Sequence, residues 1–343
     1  MARIFTVSST PHIHDRTDVP TIMYSVVGAL APAMIGAVYF LGVRAVWIIG
    51  LSVAACLAAE AAVCRMRGKP SSILDGSAIV TGILLAFNLP VGVSWWIPVI
   101  GGVFAVAIGK MVFGGLGNNP MNPALLGRVF LLFSFPIQMT TTWTKPAGFP
   151  GFDAETTATP LNVLKENIGI LHNRDLYSPD AVNAAMSKLA GLHTQFFDLF
   201  IGNRAGCLGE TSVVLLLIGA AFLMYKRYVG CKIPFTYVGT VALLSWIFGG
   251  YEGLFTGEWL FHILSGGLIL GAFFMATDMV TSPITFRGRI IFGVGCGVLT
   301  VIIRLWGGFP EGVSFAILLM NLTVPLIDRY SKPEVFGKVS NRA

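Results

Sequence analysis

The stretch TIMYSVVGALAPAMIGAVYFLGVRAVWIIGLSVAACLAAEAAVC, residues 21–64, decides the fold. It holds two apolar windows, each close to the roughly 20 residues that a helix needs to cross about 30 Å of hydrocarbon. Such windows recur, and we count ten, at 22–41, 46–64, 74–91, 95–112, 123–139, 212–226, 234–250, 258–277, 289–305 and 311–328. The sequence therefore predicts an all-α integral membrane protein with about ten transmembrane helices.

The composition agrees with this prediction. Of the 343 residues, 55% are hydrophobic and 12% are charged. Soluble domains are about 25% charged. The first window is too long for the core of a signal peptide and lacks a small-residue cleavage site, so we interpret it as a retained helix. The net charge is +6. In a membrane protein Lys and Arg are distributed by membrane side, so this charge does not indicate nucleic acid as a partner.

The basic residues favour one orientation, because cytoplasmic segments of membrane proteins are enriched in Lys and Arg. With a cytoplasmic N-terminus, the inner segments hold Arg3, Arg16, Arg65, Arg67, Lys69, Lys110, Lys226, Arg227, Lys232, Arg287, Arg289, Arg329, Lys332, Lys338 and Arg342. Both termini are then cytoplasmic. The predicted organisation is a first membrane half at 1–139, an extracytoplasmic loop at 140–211, a second membrane half at 212–328 and a cytoplasmic tail at 329–343.

The two five-helix halves resemble each other. SSILDGSAIVTGILLAFNLP (71–90) aligns with LSGGLILGAFFMATDMVTSP (264–283), and GGLGNNPMNPALLGRVFLLFSFP (114–136) with GGFPEGVSFAILLMNLTVP (307–325). An odd number of helices in each repeat inverts the second copy, and inverted repeats often build a site near the bilayer midplane. The alternative is a similarity that comes only from shared membrane composition.

Charged groups inside apolar windows are functional candidates because burying them in lipid is costly. Asp75 and Asp278 occupy corresponding places in the two halves, which fits an ion or cofactor path and equally fits two helix caps. Arg128 is a further candidate. For Arg304 we expect snorkelling from a helix end, and for His262 a hydrogen bond to a neighbouring carbonyl.

The extracytoplasmic loop carries structure of its own. Ser178 before Pro179 predicts the start of an Ala-rich helix that runs to about Ala190. The cysteines show neither a C-x-x-C pair nor metal-ligand spacing with histidine, so we expect unpaired structural thiols and no metal site. They are Cys56, Cys64, Cys207, Cys231 and Cys296.

Two polar strings stand out against this apolar background. DAETTATPL (153–161) would be a solvated turn by composition alone. GNNPMNP (117–123) is typical of a broken helix entry, in which Asn122 before Pro123 predicts a cap of the following helix. Non-helical backbone at membrane depth is also tolerated where it lines a cavity, so Asn119 and Asn122 are candidates for holding a ligand.

The first of these strings resembles D-x-x-[ST]-[GS]-A-T, the sequence at which a flavin transferase esterifies FMN phosphate to the last threonine. Asp153, Thr156 and Ala158 match the motif, and Thr159 takes the acceptor position. Further strings, GGLGNNPMNPALLGRVFLLFSFP, GNRAGCLGETS (202–212) and FFMATDMVTSP (273–283), extend the resemblance over most of the chain. The departures are Thr157, where glycine is common, and Met279, where proline is frequent.

The chain thus resembles the D subunit of the Rnf complex, an ion-translocating ferredoxin:NAD⁺ oxidoreductase. The resemblance implies covalent FMN on Thr159, riboflavin held near Asn119 and Asn122, and electron transfer coupled to Na⁺ or H⁺ translocation in a bacterial or archaeal cytoplasmic membrane. It also implies membrane, flavin-bearing and iron–sulfur partner subunits and a flavin transferase for maturation. The sequence has no dinucleotide fingerprint or iron–sulfur ligand set, so ferredoxin and NAD⁺ chemistry is expected in those partners.

Three alternatives remain open at the level of sequence. The first is the related B subunit of the Na⁺-translocating NADH:quinone reductase. The second is a channel or secondary transporter without redox chemistry, which inverted halves and midplane acids would also suit. The third is an assembly scaffold whose polar motifs only cap helices and dock subunits.

Overall fold

The computed structural model describes residues 17–68, 72–144, 146, 158–193, 196–202, 204–250, 253–309 and 311–332. Within these residues the chain is helical and has no β-strand. In chain order the helices are α1 (Val19–Leu41), α2 (Val43–Met66), α3 (Ser77–Phe87), α4 (Trp96–Val106), α5 (Pro123–Ser134), α6 (Pro136–Thr140), α7 (Pro160–His172), α8 (Pro179–His193), α9 (Phe196–Ile201), α10 (Val213–Tyr225), α11 (Lys232–Phe248), α12 (Trp259–Leu264), α13 (Leu268–Leu270), α14 (Phe286–Leu305) and α15 (Val313–Tyr330).

Four of the described helices, α1, α2, α14 and α15, are long and apolar enough to cross a membrane. Five further apolar segments are shorter, namely α3, α4 with the π-helical turn that extends it to Met111, α5, α10 and α11. The prediction of an all-α membrane protein is confirmed in this coarser form. Each shorter segment overlaps a predicted window, and α3 and α5 end several residues before their windows do.

The windows at 74–91 and 258–277 are both broken. Helix α3 stops at Phe87, and the chain continues without helical structure through Asn88. The second window divides into α12, α13 and a π-helical turn. Gly266 and Gly267 separate α12 from α13 at φ values of 69° and 63°, in the left-handed region that side chains with a Cβ rarely adopt.

Helix packing joins the halves at two places. In the first half α2 packs on α3 and α4, and α4 packs on α5; in the second, α14 packs on α11 and α15. The pairs α1 with α10 and α5 with α15 connect one half to the other. Small residues permit close approach: a Cβ on Gly82 of α3 would stand only 2.7 Å from the Cα of Val53 in α2.

Arg304 does not snorkel, so that expectation is wrong. Its side chain is 2% exposed, and its guanidinium donates to the carbonyls of His262, Ser265, Gly266 and Glu311. The carbonyl of His262 lies in the last turn of α12, those of Ser265 and Gly266 lie in the break that follows, and that of Glu311 lies before α15, all places where helical backbone partners are missing. One arginine therefore replaces the missing backbone partners of two loops.

The segment between α6 and α10 is folded in its described part. Helix α7 packs against α8, and Ser178 Oγ accepts a hydrogen bond from the backbone N–H of Ala181 at 3.4 Å, which confirms the predicted cap. Burial lowers the pKa of Lys165 in α7. Its ammonium donates to the carbonyl of Gly307, so α7 is fixed against the loop that leads into α15.

Candidate functional site

Thr159 forms the N-cap of α7. Its backbone is extended, with φ −66° and ψ 150°, and its Oγ1 accepts a hydrogen bond from the backbone N–H of Asn162 at 3.3 Å. Pro160 follows at the first helical position, where its lack of an N–H is harmless. The side chain is only 4% exposed. A phosphate on this hydroxyl would lie at the positive end of the helix dipole, a position that favours anions.

The other residues of the threonine motif are placed as follows. Ala158 is described and exposed. Asp153 and Thr156 lie outside the described residues, so their roles stay predictions that come from the resemblance.

A cavity of about 270 Å³ lies beside this cap, and we call it the Trp143 cavity. Asn162 of α7 lines it, which places the Thr159 hydroxyl one hydrogen bond from a wall residue. The other walls come from α5, α6 and the start of α15, and consist of Arg128, Val129, Leu132, Met139, Thr140, Trp143, Gly308, Phe309, Glu311, Gly312, Ser314 and Phe315. Phe309 and Phe315 stack with ring centroids 5.0 Å apart. The result is an apolar slot with one charged edge.

Arg128 provides the positive charge at that edge. Its Nη1 donates to Asn88 Oδ1 at 2.8 Å and to Ser314 Oγ at 2.7 Å, and its Nη2 forms an ion pair with Glu311. Asn88 belongs to the first half, and Ser314 and Glu311 to the second. Arg128, a candidate from sequence, thus ties the two halves together at the cavity wall.

Cys207, Glu210 and Glu311 each bring a potential ligand atom within 4.8 Å of the others. Arg128 pairs with Glu311, and its Nη2 lies 3.8 Å from Cys207 Sγ. We therefore interpret the cluster as an arginine-centred polar network, and Cys207 as a buried thiol within it.

A second cavity, of about 110 Å³, contains the other predicted residues, and we call it the Asn119 cavity. Asn119, Asn122 and Asp278 all line it, together with Ser77 and Lys110. Asn119 Nδ2 donates to the carbonyl of Met121 at 3.1 Å, while its buried Oδ1 has no hydrogen-bond partner in the described part of the chain. A buried acceptor without a donor is costly and suits a ligand that donates.

Asn122 performs the predicted capping role. Its Oδ1 accepts from the N–H groups of Ala124 at 3.0 Å and Leu125 at 3.4 Å, so the cap of α5 is confirmed. Its Nδ2 donates to the carbonyl of Met275 at 3.3 Å, across to the other half. The structure gives Asn122 a structural role whether or not a ligand binds beside it.

Asp75 and Asp278 both cap turns. Asp75 Oδ1 accepts from the N–H of Ser77 at 2.8 Å and from its hydroxyl at 2.5 Å. Asp278 accepts from the N–H of Val280 at 3.3 Å and from the hydroxyl of Thr281 at 3.2 Å. Asp278 lines the Asn119 cavity directly, whereas Asp75 reaches it only through Ser77.

A buried ion pair beside this cavity was missed by sequence reasoning. Lys110 Nζ donates to Glu60 Oε1 at 2.8 Å and to Ser77 Oγ at 2.5 Å. The lysine and glutamate side chains are 2% and 0% exposed. Each charge falls within an apolar window, but the position of Lys110 near a window end is also typical of a basic residue in a cytoplasmic segment.

His262 differs from expectation. It is 2% exposed, and its Nε2 has no hydrogen-bond partner among the residues that the structure describes. The expected bond from a ring nitrogen to a neighbouring carbonyl is not found at Nε2. The backbone carbonyl of His262 instead accepts from Arg304 at 2.6 Å.

Comparison with known proteins identifies close relatives. The profile of the NQR2, RnfD, RnfE family matches residues 6–337. The D subunit of the proton-translocating ferredoxin:NAD(+) oxidoreductase complex of Clostridium ljungdahlii is 45% identical over 97% of this chain and 96% of the relative. The D subunit of the Na(+)-translocating complex of Acetobacterium woodii is 43% identical over 97% and 95%. The D subunit of the ion-translocating oxidoreductase complex of Stutzerimonas stutzeri is 41% identical over 94% and 93%.

Proposed function

The chain belongs to the NQR2, RnfD, RnfE family, and from this premise we propose that it is the D subunit of an Rnf-type complex that carries electrons through FMN esterified to Thr159. It acts only with partner subunits that handle ferredoxin and NAD⁺, and its electron transfer is coupled to Na⁺ or H⁺ movement. The observation that carries the proposal is the Thr159 hydroxyl, which stands at a helix N-cap where a phosphoester is favoured.

The residues around Thr159 explain what the protein supplies. A flavin held by a bond to its phosphate cannot diffuse away, and the protein then sets its position and local charge. Asn162 presents a backbone N–H at the attachment point, and the adjoining first turn of α7 neutralises part of the phosphate charge. Thr159 offers only a weakly nucleophilic hydroxyl, so the proposal assigns its attachment to a separate flavin transferase. The test is ultraviolet fluorescence of the denatured chain on a gel.

Riboflavin is the second flavin in this proposal, with the Asn119 cavity as its site. The unpartnered Oδ1 of Asn119 offers an acceptor to a ring imide or ribityl hydroxyl, and Ser77 and Lys110 add polar contacts. The Asn119 cavity, at about 110 Å³, is smaller than the Trp143 cavity at about 270 Å³.

Replacing Asn119 with alanine should reduce bound riboflavin at least fivefold, because losing a buried hydrogen bond costs about 1–3 kcal/mol. Acid denaturation of the purified complex followed by chromatography measures the released riboflavin, while the covalent flavin stays with the precipitate as an internal standard. Asn118→Ala is the matched control, since Asn118 is adjacent and exposed. Equal riboflavin in both variants would exclude Asn119 as a contact.

The proposed orientation has both termini in the cytoplasm of a bacterial or archaeal cell, ten spans in two inverted halves of five, and 140–211 outside. In the alignment of 71–90 with 264–283, Phe87 falls opposite Val280 and Leu264 opposite Ser71, so the two breaks do not correspond and the proposed inversion rests on the sequence repeat. Asp75 and Asp278 are then the proposed ion or cofactor path on the cytoplasmic side. The basic side chains of Arg227 and Arg287 are exposed at helix ends assigned to that side.

Thiol labelling in intact cells tests this orientation. Cys231 is the exposed cysteine among the five, the others being buried. In a Cys231→Ser background that carries Asn183→Cys on the exposed face of α8, a membrane-impermeant maleimide should label intact cells. The natural protein should be labelled only after the cells are permeabilised. The reverse pattern would invert the topology and place the flavin loop in the cytoplasm.

A further inference from the structure

The Trp143 cavity contains an unused hydrogen-bond donor. Trp143 is 5% exposed, and its indole Nε1 has no acceptor among the described residues. Buried indole N–H groups are normally bonded, and one left unpaired costs free energy. Because Trp143 lines the cavity, this donor indicates an occupant with an acceptor atom.

The cavity is also lined by the guanidinium of Arg128. Arg128 has five N–H donors, and Glu311, a carboxylate, is its one ionic partner in the described chain. Asn88 and Ser314 accept from it as neutral groups, and Cys207 lies beside it. The remaining walls are largely apolar and include the stacked rings of the two phenylalanines described above. This combination suits a flat aromatic group that can become negatively charged at one edge.

Resting on the covalent attachment at Thr159 proposed above, we propose that the Trp143 cavity receives the ring system of that FMN. Trp143 donates to an acceptor on the ring, and Arg128 is the cation that stabilises the negative charge gained on reduction. The attachment point fits, because Asn162 both binds Thr159 Oγ1 at 3.3 Å and lines the cavity. Arg128 is then shared between Glu311 and the reduced flavin.

The direction of the effect follows from charge. A cation near a group that becomes negative favours its reduced form, and the benefit is large where water is excluded. Removing the charge of Arg128 therefore favours the oxidised flavin. The expected change is at least tenfold in the equilibrium between the two forms, which for a two-electron couple lowers the midpoint potential by about 30 mV or more.

The experiment uses the full-length chain carrying covalent FMN and measures its midpoint potential by spectroelectrochemical titration. Arg128→Gln should lower the potential by the amount that corresponds to at least a tenfold change in the redox equilibrium. Arg128→Lys should recover most of the loss because the charge remains. Trp143→Phe keeps an aromatic ring but removes the N–H, and should shift the potential in the same direction by a smaller factor. Trp95→Phe is the control, since Trp95 is 70% exposed and lines neither cavity.

The fluorescent band on a denaturing gel separates the two proposals. If the band is present and neither Arg128→Gln nor Trp143→Phe alters the potential, the ring lies elsewhere, and only the present inference is overturned. If the natural chain has no band, covalent attachment fails and this inference falls with it. Should Arg128→Gln prevent folding, Trp143→Phe decides alone, since Nε1 makes no hydrogen bond within the described chain.

Discussion

Thr159→Ala is expected to remove the covalent flavin completely, so that the denatured chain gives no fluorescent band under ultraviolet light. The reason is chemical, because alanine has no hydroxyl to form the phosphoester. The same substitution also deletes the N-cap of α7, which costs about 1 kcal/mol. The measurement is in-gel fluorescence of wild type and variant after co-expression with a flavin transferase, with equal protein loading.

Matched variants separate the loss of the acceptor from the loss of the cap. Thr159→Asn keeps a capping oxygen but no hydroxyl, so it should fold normally and remain dark. Thr159→Ser keeps both and should retain fluorescence if the transferase accepts serine. Thr157→Ala changes a neighbouring threonine and should remain bright. A bright Thr159→Asn chain would place the flavin on another residue, and a dark wild type beside an active transferase would favour a subunit without covalent flavin.

The sequence was sufficient to predict the membrane class, because an apolar window needs no tertiary information to be recognised. It could not predict where windows break. The run 258–277 is apolar over most of its length, yet the left-handed Gly266 and Gly267 follow α12 after only six helical residues. A pair of glycines is common in spanning helices. In the structure this pair interrupts the helix, and the guanidinium of Arg304 bonds the carbonyls of Ser265 and Gly266 that the break leaves free.

The residues of the candidate site that lie in a sequence motif could be predicted. Those that only the fold brings together could not. Asn119, Asn122 and Asp278 were singled out separately, and the structure brings them to one cavity. Trp143 and Glu311 were missed for different reasons. A tryptophan after a span is typical of the membrane interface, and Glu311 stands at a window boundary where acids are ordinary. Their importance depends on the guanidinium of Arg128 at the cavity edge. It pairs with Glu311 and donates to Ser314, both in the second half of the chain.

One chain of contacts joins the two cavities. Arg128 bonds Asn88, and Asn88 Nδ2 lies 3.6 Å from Met275 Sδ. The carbonyl of Met275 accepts from Asn122 at the other cavity. Asn122 is the N-cap of α5, and Arg128 lies six residues further along the same helix. Six residues of helix rise about 9 Å. If both cavities hold flavins as proposed, α5 keeps the two flavins at a fixed and short distance. Because the chain is not α-helical at Asn88 and near Met275, backbone polar groups also lie between the two cavities.

The largest effect on stability is expected from Lys110→Met. This change leaves Glu60 buried at 0% exposure without its cation, and only the Ser72 hydroxyl still donates to it in the described chain. Breaking a buried ion pair by removing one partner costs about 3–5 kcal/mol. The purified complex should therefore lose much of its thermal stability or fail to assemble, as measured by thermal unfolding in detergent and by co-purification of partner subunits. Lys188→Met, at an exposed position of α8, should have no effect.

The double variant Glu60→Gln with Lys110→Met decides what the pair is for. Replacing both charges removes the unpaired carboxylate, and such double replacements are often neutral for stability. We expect the double variant to fold and assemble far better than Lys110→Met alone. Because Lys110 also lines the Asn119 cavity and bonds Ser77, riboflavin content should still fall in the double variant. Full riboflavin in a stable double variant would show that the pair serves only the fold, whereas an unstable double variant would contradict the expectation that removing both charges is tolerated.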